Sequence, residues 1–333
     1  MYNGYNSIYQ PAWAYKGEKM IRKFIESLRD EKDGFSFDKP WRLEAKSLGV
    51  LVPILRKSKA KRSYITFAEA NEAKVEDTGQ IDYVYVKNEG KKPILISRGE
   101  IFRGKSQERA AVHDHIIQPG CGLRVAVKCI HMSRGISGGS KMEYGGRAPY
   151  SVTYTSQSTT WDNVKQYSGK AWETSNTINA YYGGGSILRC SWDASTSDDL
   201  LKTIENLTDA MKEALTKIPY LDNQVGAIFF YENRMIGMDV YDFPGSWDAV
   251  KRDVVEKEGA DFLKKDEQAD MFEFKPEKAK ILIKKYLSEN FEEKEIYSKD
   301  YRVTEIRSDS LIGEIVEFGG KIIHLTLWEK EKK

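Results

Sequence analysis

The chain has 333 residues, 40% of them hydrophobic and 31% charged, with 52 basic against 50 acidic side chains and a formal net charge of +2. These figures describe a soluble globular chain with enough length for a sizeable core, and the charge balance argues against nucleic-acid binding as the main role. No apolar run approaches the roughly 20 residues needed to span a bilayer, so no membrane partner is expected.

The opening segment, Met1–Lys16, is aromatic and polar and lacks the charged-then-apolar layout of a signal peptide. Lys19–Glu31 reads as an amphipathic helix, because Ile21, Phe24, Ile25 and Leu28 fall on one face. Leu48–Leu55 and Ser63–Phe67 read as strands, followed by a short helical stretch at Ala68–Ala73. Ile81–Val86 alternates like a half-buried strand, and Asn88-Glu89-Gly90 turns it into Ile94–Ser97. His113–Gln118 and Leu123–Ile130 continue the strands on either side of Pro119-Gly120.

From Ser133 to Ser191 the chain is rich in Gly, Ser and Tyr, with Trp161 and Trp172 embedded. That composition reads as a long loop, either pinned to the surface by its aromatics or closing over a site. Ser197–Lys217 then predicts a helix, with Leu200, Leu201, Ile204, Leu207, Met211 and Leu215 as its stripe. Val225–Tyr231 and Met235–Tyr241 predict a hairpin. Helices follow from Ser246 to about Leu263 and from Pro276 to Leu287. Glu295–Ile306, Leu311–Phe318 and Ile322–Trp328 close the chain as strands.

Strands that arrive in groups point to an α+β fold, with a strand-rich core of mostly antiparallel sheets and three to four amphipathic helices. The expected organisation is an N-terminal extension with one helix over 1–44 and a single α+β domain over 45–330, with the loop at about 133–191. The sequence leaves the oligomeric state open.

The chemistry concentrates between Lys92 and Arg134, which holds three of the four histidines and two of the three cysteines. Gly99 to Ser106 spells G-x-x-x-x-G-K-S, the phosphate-loop pattern. Its interior, Glu100-Ile101-Phe102-Arg103, sets a carboxylate and two bulky apolar groups where small residues and backbone N–H groups are needed, so the strand should simply continue. Gly135 to Gly139 spells G-x-S-x-G, but Gly145, Gly146 and Pro149 deny it the helix that a nucleophile elbow requires.

Lys105, Gln107, Arg109 and Arg134 form a donor-rich set suited to phosphate or carboxylate. The alternative for Arg109 is an internal ion pair with Glu100 or Asp114. His113 and His115, two apart on an expected strand, would point to one face and could hold a metal, with Glu100 or His324 completing the site. Their alternative is a solvated sheet face, and for His324 it is a hydrogen-bonded core position. Cys129 reads as a buried thiol. An odd number of cysteines without C-x-x-C spacing suggests a reducing, cytoplasmic setting.

The run from Pro93 to Arg109 resembles the signature of the ARG- and rhodanese-phosphatase-associated protein domain. That signature has an apolar strand, then Gly-Glu, then Gly-x-x-Gln-x-Arg, and later a proline turn and a strand ending in Cys. Gly99, Glu100, Gly104, Gln107, Arg109, Pro119 and Cys129 match it. Trp161 to Val164, Gln224 to Ala227, Gly237 to Asp239 and His324 are similar to further family features, so the likeness runs from about Gly49 to Leu327. The chain departs where the family places Glu after the Cys strand and an Arg-Trp pair beyond; here stand His131 and Arg134-Gly135. The resemblance implies a link to ADP-ribose and NAD metabolism without implying a reaction, and it names no cofactor.

Two functions are therefore expected. In the first, a phosphorylated nucleotide-derived ligand such as ADP-ribose is held by Lys105, Arg109 and Arg134, oriented by Gln107 and processed with Glu100 as general base. In the second, the chain is a non-enzymatic interaction module whose Gly-Glu…Gln-x-Arg segment is structural. The two part on whether Glu100, Gln107 and Arg109 converge on an open concavity or point inward with their partners in place.

Overall fold

The computed structural model describes residues 12–42, 49–57, 61–80, 82–104, 108–130, 139–149, 153, 221–231, 233–265 and 276–330. The expected helix Ser197–Lys217 and most of the segment 133–191 lie outside these residues.

Helix α1 (Ala12–Arg29) buries Ile21, Ile25 and Leu28, one turn apart on a single face. Strands β1 (Phe35–Phe37), β2 (Trp41–Arg42) and β3 (Val50–Arg56) follow. Both β1 and β2 pair with β3, so part of the expected N-terminal extension joins the main sheet. Next come β4 (Ile65–Thr66), β5 (Ala73–Gln80), β6 (Tyr83–Asn88), β7 (Ile94–Ile96), β8 (Glu100–Gly104), β9 (Arg109–Ala111), β10 (His115–Ile117), β11 (Gly122–Cys129) and β12 (Lys141–Arg147). The last third holds β13 (Gln224–Tyr231), β14 (Arg234–Tyr241), α2 (Pro244–Lys265), α3 (Pro276–Leu287), β15 (Glu292–Ser298), β16 (Tyr301–Arg307), β17 (Leu311–Phe318) and β18 (Lys321–Glu329).

These strands make a nine-stranded sheet in the order β1-β3-β13-β14-β18-β17-β16-β15 with β2 beside β3, a small sheet β10-β7-β4, and a closed barrel β11-β6-β5-β12-β8-β9. All pairings are antiparallel except β4 with β7. The α+β expectation holds, with three α-helices among the described residues. The closed six-stranded barrel was not foreseen, because short alternating strands do not reveal whether their sheet closes.

The large sheet lies between two apolar layers. One face carries Val52, Ile228, Met238, Ile315 and Leu325 against α1 and α3. The other carries Leu51, Phe229, Tyr241, Val316 and Ile323 against Trp247 and Val250 of α2 and against Leu95 and Ile101 of the barrel side. Period-2 alternation sets this division. With both faces covered, β13 is buried along its full length, which explains the unbroken run VGAIFFY after Gln224. The barrel has its own interior of Val75, Val84, Val86, Phe102, Val125 and Val127.

Three local expectations change. Lys141–Arg147, placed by composition in the Gly-rich loop, is a barrel strand that pairs with β5 and β8. Its register shifts between Tyr144 and Arg147, and Gly146 takes φ +90° there, a bulge that composition alone reads as loop. Glu295–Ile306 is two strands, β15 and β16, because the polar Lys299-Asp300 turns the chain. Ala68–Ala73 is not a helix; a single 3-10 turn spans Phe67–Glu69 and β5 begins at Ala73.

Close packing of β17 on β18 supplies a first prediction. A Cβ on Gly313 would stand 1.9 Å from the Thr326 carbonyl oxygen, a backbone atom that cannot step aside. Gly313→Ala should cost about 3 kcal/mol by overpacking, read as a lowered urea midpoint. An unchanged midpoint would mean that the two strands can separate locally without loss.

Candidate functional site

Where the barrel meets the large sheet, charged side chains are buried in a continuous network. On the sheet, Asp239 and Tyr241 of β14, His324 and Thr326 of β18 and Glu314 of β17 share the barrel-facing side. The register sets Tyr241 opposite His324 and places both Asp239 and Glu314 opposite Thr326. From the barrel side come Arg98 and Glu100 around the start of β8, His113 and Asp114 between β9 and β10, and Arg147 at the end of β12. The β12 bulge sets Arg147 opposite Glu100.

His324 is the hub. Its Nδ1 lies 2.6 Å from Asp114 Oδ2 and its Nε2 lies 2.8 Å from Asp239 Oδ1. An imidazole placed between two carboxylates can donate from both nitrogens only when protonated. Burial opposes that charge, but Asp114 and Asp239 overcome the penalty and raise His324 to a pKa of about 9. The Tyr241 ring stacks on it at 4.5 Å.

Arg147 carries the network on to Glu100. Its guanidinium donates to the Tyr241 hydroxyl at 2.6 Å, reaches Glu100 Oε1 at 3.2 Å and stands 3.4 Å from Asp239 Oδ2. Burial pushes the Glu100 carboxyl up to about 8 even so, and Arg147 only partly offsets it. Ser97 joins the network as well, its backbone toward the Glu100 carboxyl and its side chain toward the Tyr241 hydroxyl. At the other end Glu314 accepts from Arg98 at 2.6 Å, meets His113 Nδ1 at 2.6 Å and takes the Asp114 backbone N–H at 3.1 Å. The opposing effect of burial is outweighed by Arg98 and His113, so the Glu314 carboxyl is held well below its ordinary range. Arg98 also donates its backbone N–H to Asp114 at 2.6 Å and lies over the Trp328 ring.

Chemically this is a chain of acids and bases sealed from water. Glu100, Asp114, Asp239 and Glu314 have no exposed surface, and the His113 side chain, 30% exposed, is where the network reaches solvent. The arrangement can lock the barrel to the sheet and can relay a proton.

The residues singled out from sequence fall in different places. Glu100 belongs to this network. Arg109 is fully buried on the barrel, where it donates to Asp77 at 2.9 and 3.1 Å and to the carbonyls of Gln80 and Tyr83 at 2.5 and 2.9 Å. Its carboxylate partner among the described residues is Asp77, not the Glu100 or Asp114 expected from sequence. Lys105, Gln107 and Arg134 lie outside the described residues.

His113 and His115 do not share a strand face. His113 precedes β10 and turns to Glu314, whereas His115 opens β10 and sets Nδ1 3.3 Å from the Tyr301 hydroxyl. Burial, with His113 nearby, lowers His115 to about 4. His324 has both nitrogens engaged, by Asp114 and Asp239. No group of three His, Cys, Asp or Glu side chains suited to a metal occurs among the described residues. Cys129 is buried, as the sequence suggests.

The phosphate-loop match is excluded by geometry, since Glu100–Gly104 is a barrel strand and the next element, Arg109–Ala111, is another. Sequence reading passed over Arg98, Asp114, Arg147, Asp239 and Glu314 as site residues. The available signal was a single charged residue in an apolar strand, as at Asp239 in RMIGMDVY and Glu314 in LIGEIVEF.

Comparison with known proteins gives one match. The model of the ARG and Rhodanese-Phosphatase-superfamily-associated Protein domain covers residues 35–328, which takes in the whole barrel and all of the large sheet but the last residue of β18. No curated protein and no solved structure matches the chain.

Proposed function

We propose that this chain, which belongs to the ARG and Rhodanese-Phosphatase-superfamily-associated Protein domain family, is a non-enzymatic interaction module whose Gly99-Glu100…Arg109 segment builds the fold. One observation carries the reading. Glu100 and Arg109 are both without exposed surface, and they turn to different internal partners, Arg147 and Asp77. A ligand site would hold such groups toward one opening. Buried charges are instead retained here by pairing, and removing one partner is costly. The odd number of cysteines without C-x-x-C spacing fits a reducing, cytoplasmic setting. No described helix is long and apolar enough to cross a membrane.

The test is a thermal-shift screen of the purified chain against ADP-ribose, NAD, phosphosugars and divalent metals. The module reading predicts no selective shift. A ligand at about 100 times its dissociation constant adds roughly 2.7 kcal/mol, so a selective shift with ADP-ribose would overturn it.

A second reading, binding of a phosphorylated nucleotide-derived ligand such as ADP-ribose, draws on a separate observation. Arg147 Nε is buried without a hydrogen-bond partner among the described residues, as a donor awaiting a polar guest would be. On that reading Glu100→Gln weakens the ADP-ribose shift while leaving the unliganded melting temperature in place.

A further inference from the structure

A surface cleft of about 210 Å³ lies on the opposite side of the large sheet from the barrel, between α1 and the start of β18. Helix α1 lines it with Met20, Lys23, Phe24 and Ser27, a second i, i+3, i+4, i+7 stripe beside the one that enters the core. Phe35 of β1 and Ile322 of β18 supply apolar wall, and the Phe24 and Phe35 rings meet edge to face at 5.4 Å.

The polar groups of the cleft divide into satisfied and unsatisfied. Asp33 accepts from Ser27 Oγ at 2.6 Å. Asp242 accepts from the Tyr64 hydroxyl at 2.8 Å and pairs with Lys321, while Ser246 Oγ in turn donates to Tyr64. Lys23 is exposed to solvent; the half-buried exception is Arg56. Its guanidinium, half-buried at the end of β3, lies 4.5 Å over the Phe35 ring and makes no hydrogen bond or ion pair with any described residue. Burial lowers its pKa, with Asp242 and Asp33 only partly compensating. A planar five-donor fork held against an aromatic face is preorganised for a planar two-oxygen acceptor.

We infer that this cleft binds a small aromatic carboxylate, its ring between α1 and the sheet and its two oxygens on the Arg56 guanidinium. The size is suitable, since a cavity of about 150 Å³ holds benzene and this one is somewhat larger. The charge selects a monoanion. The planar Arg56 fork matches one carboxylate, whereas the nearby Asp33 and Asp242 disfavour a phosphate dianion.

The experiment is saturation-transfer NMR and calorimetric titration of the full chain with benzoate, with benzamide and phenyl phosphate as comparators. Benzoate should bind saturably and at least about tenfold more tightly than either comparator. Arg56→Met, which keeps the aliphatic stem, should lose that preference while melting within a few degrees of wild type. If Arg56→Met does not fold, Met20→Trp, which fills the cleft from α1, must abolish benzoate binding. Absence of saturable benzoate binding overturns the proposal. So does equal binding by wild type and Arg56→Met, or tighter binding of benzamide.

Discussion

Replacing His324 with Ala should lower the unfolding free energy by about 3–5 kcal/mol, the range for removing one partner of a buried ion network. The loss exceeds that of an ordinary core truncation for a stated reason. Asp114 and Asp239 would both remain in the junction without the imidazolium that joins them, and a buried carboxylate without its partner is the costly outcome. Urea denaturation near neutral pH would show it, and a variant within about 0.5 kcal/mol of wild type, the scatter of ordinary surface substitutions, would contradict the junction's role.

The same residues fix how stability changes with pH. His324 is raised from 6.5 to about 9 and Glu100 from 4.5 to about 8, so both bind a proton more tightly in the folded chain. Their contribution is complete below the unfolded values and is lost as pH rises through about 8 and then 9. His115 acts in the opposite sense. Its folded value of about 4 means that stability present above 6.5 is lost as pH falls. Glu314, held below its ordinary range, adds to that acid limb. Stability should therefore be greatest on a plateau from about pH 4.5 to 6.5, where the rising His115 limb offsets the falling Glu100 limb, and should fall above 6.5 as His324 adds to the loss. Glu100→Gln, which cannot ionise, should flatten the alkaline fall, measured as urea midpoints across the pH range. An alkaline limb unaltered by both His324 and Glu100 substitutions would show that the junction does not set it.

The second large effect is expected at Arg109. Arg109→Met should also cost about 3–5 kcal/mol, because Asp77 stays buried at zero side-chain exposure and two backbone carbonyls lose their donor. Those carbonyls belong to Gln80 and Tyr83, the ends of the β5–β6 turn, so the guanidinium fastens that hairpin to β9. A ligand-holding arginine would have left stability nearly unchanged.

What the sequence revealed followed local periodicity. Pro276–Leu287 and Leu311–Phe318 coincide with their predicted bounds, since each carries a clean apolar pattern with its own start and stop. Ala73–Gln80 escaped notice because its outward residues, Lys74 and Glu76, are charged, and Val75 is the only large apolar side chain it buries. Barrel closure depends on β12 returning to β5 across a wide gap in sequence, and alternation within a strand holds no record of it. For the site, Glu100, His113 and His324 stood out as polar residues beside apolar runs, and they do meet through one network. Arg109 stood out equally but pairs with Asp77, 32 positions away, which no spacing rule connects. Sequence located the chemistry and left its direction open; here it points inward.

The most direct measurement is the coupling energy between Arg109 and Asp77, obtained from urea unfolding of wild type, Arg109→Met, Asp77→Leu and the double variant. A structural pair predicts that either single change is severe and that the double variant recovers about 1 kcal/mol or more, because it leaves no buried charge unpaired. If Arg109→Met instead unfolds at the wild-type midpoint and the effects simply add, Arg109 does not hold the barrel. The segment from Gly99 to Arg109 would then have to be read again as a ligand site.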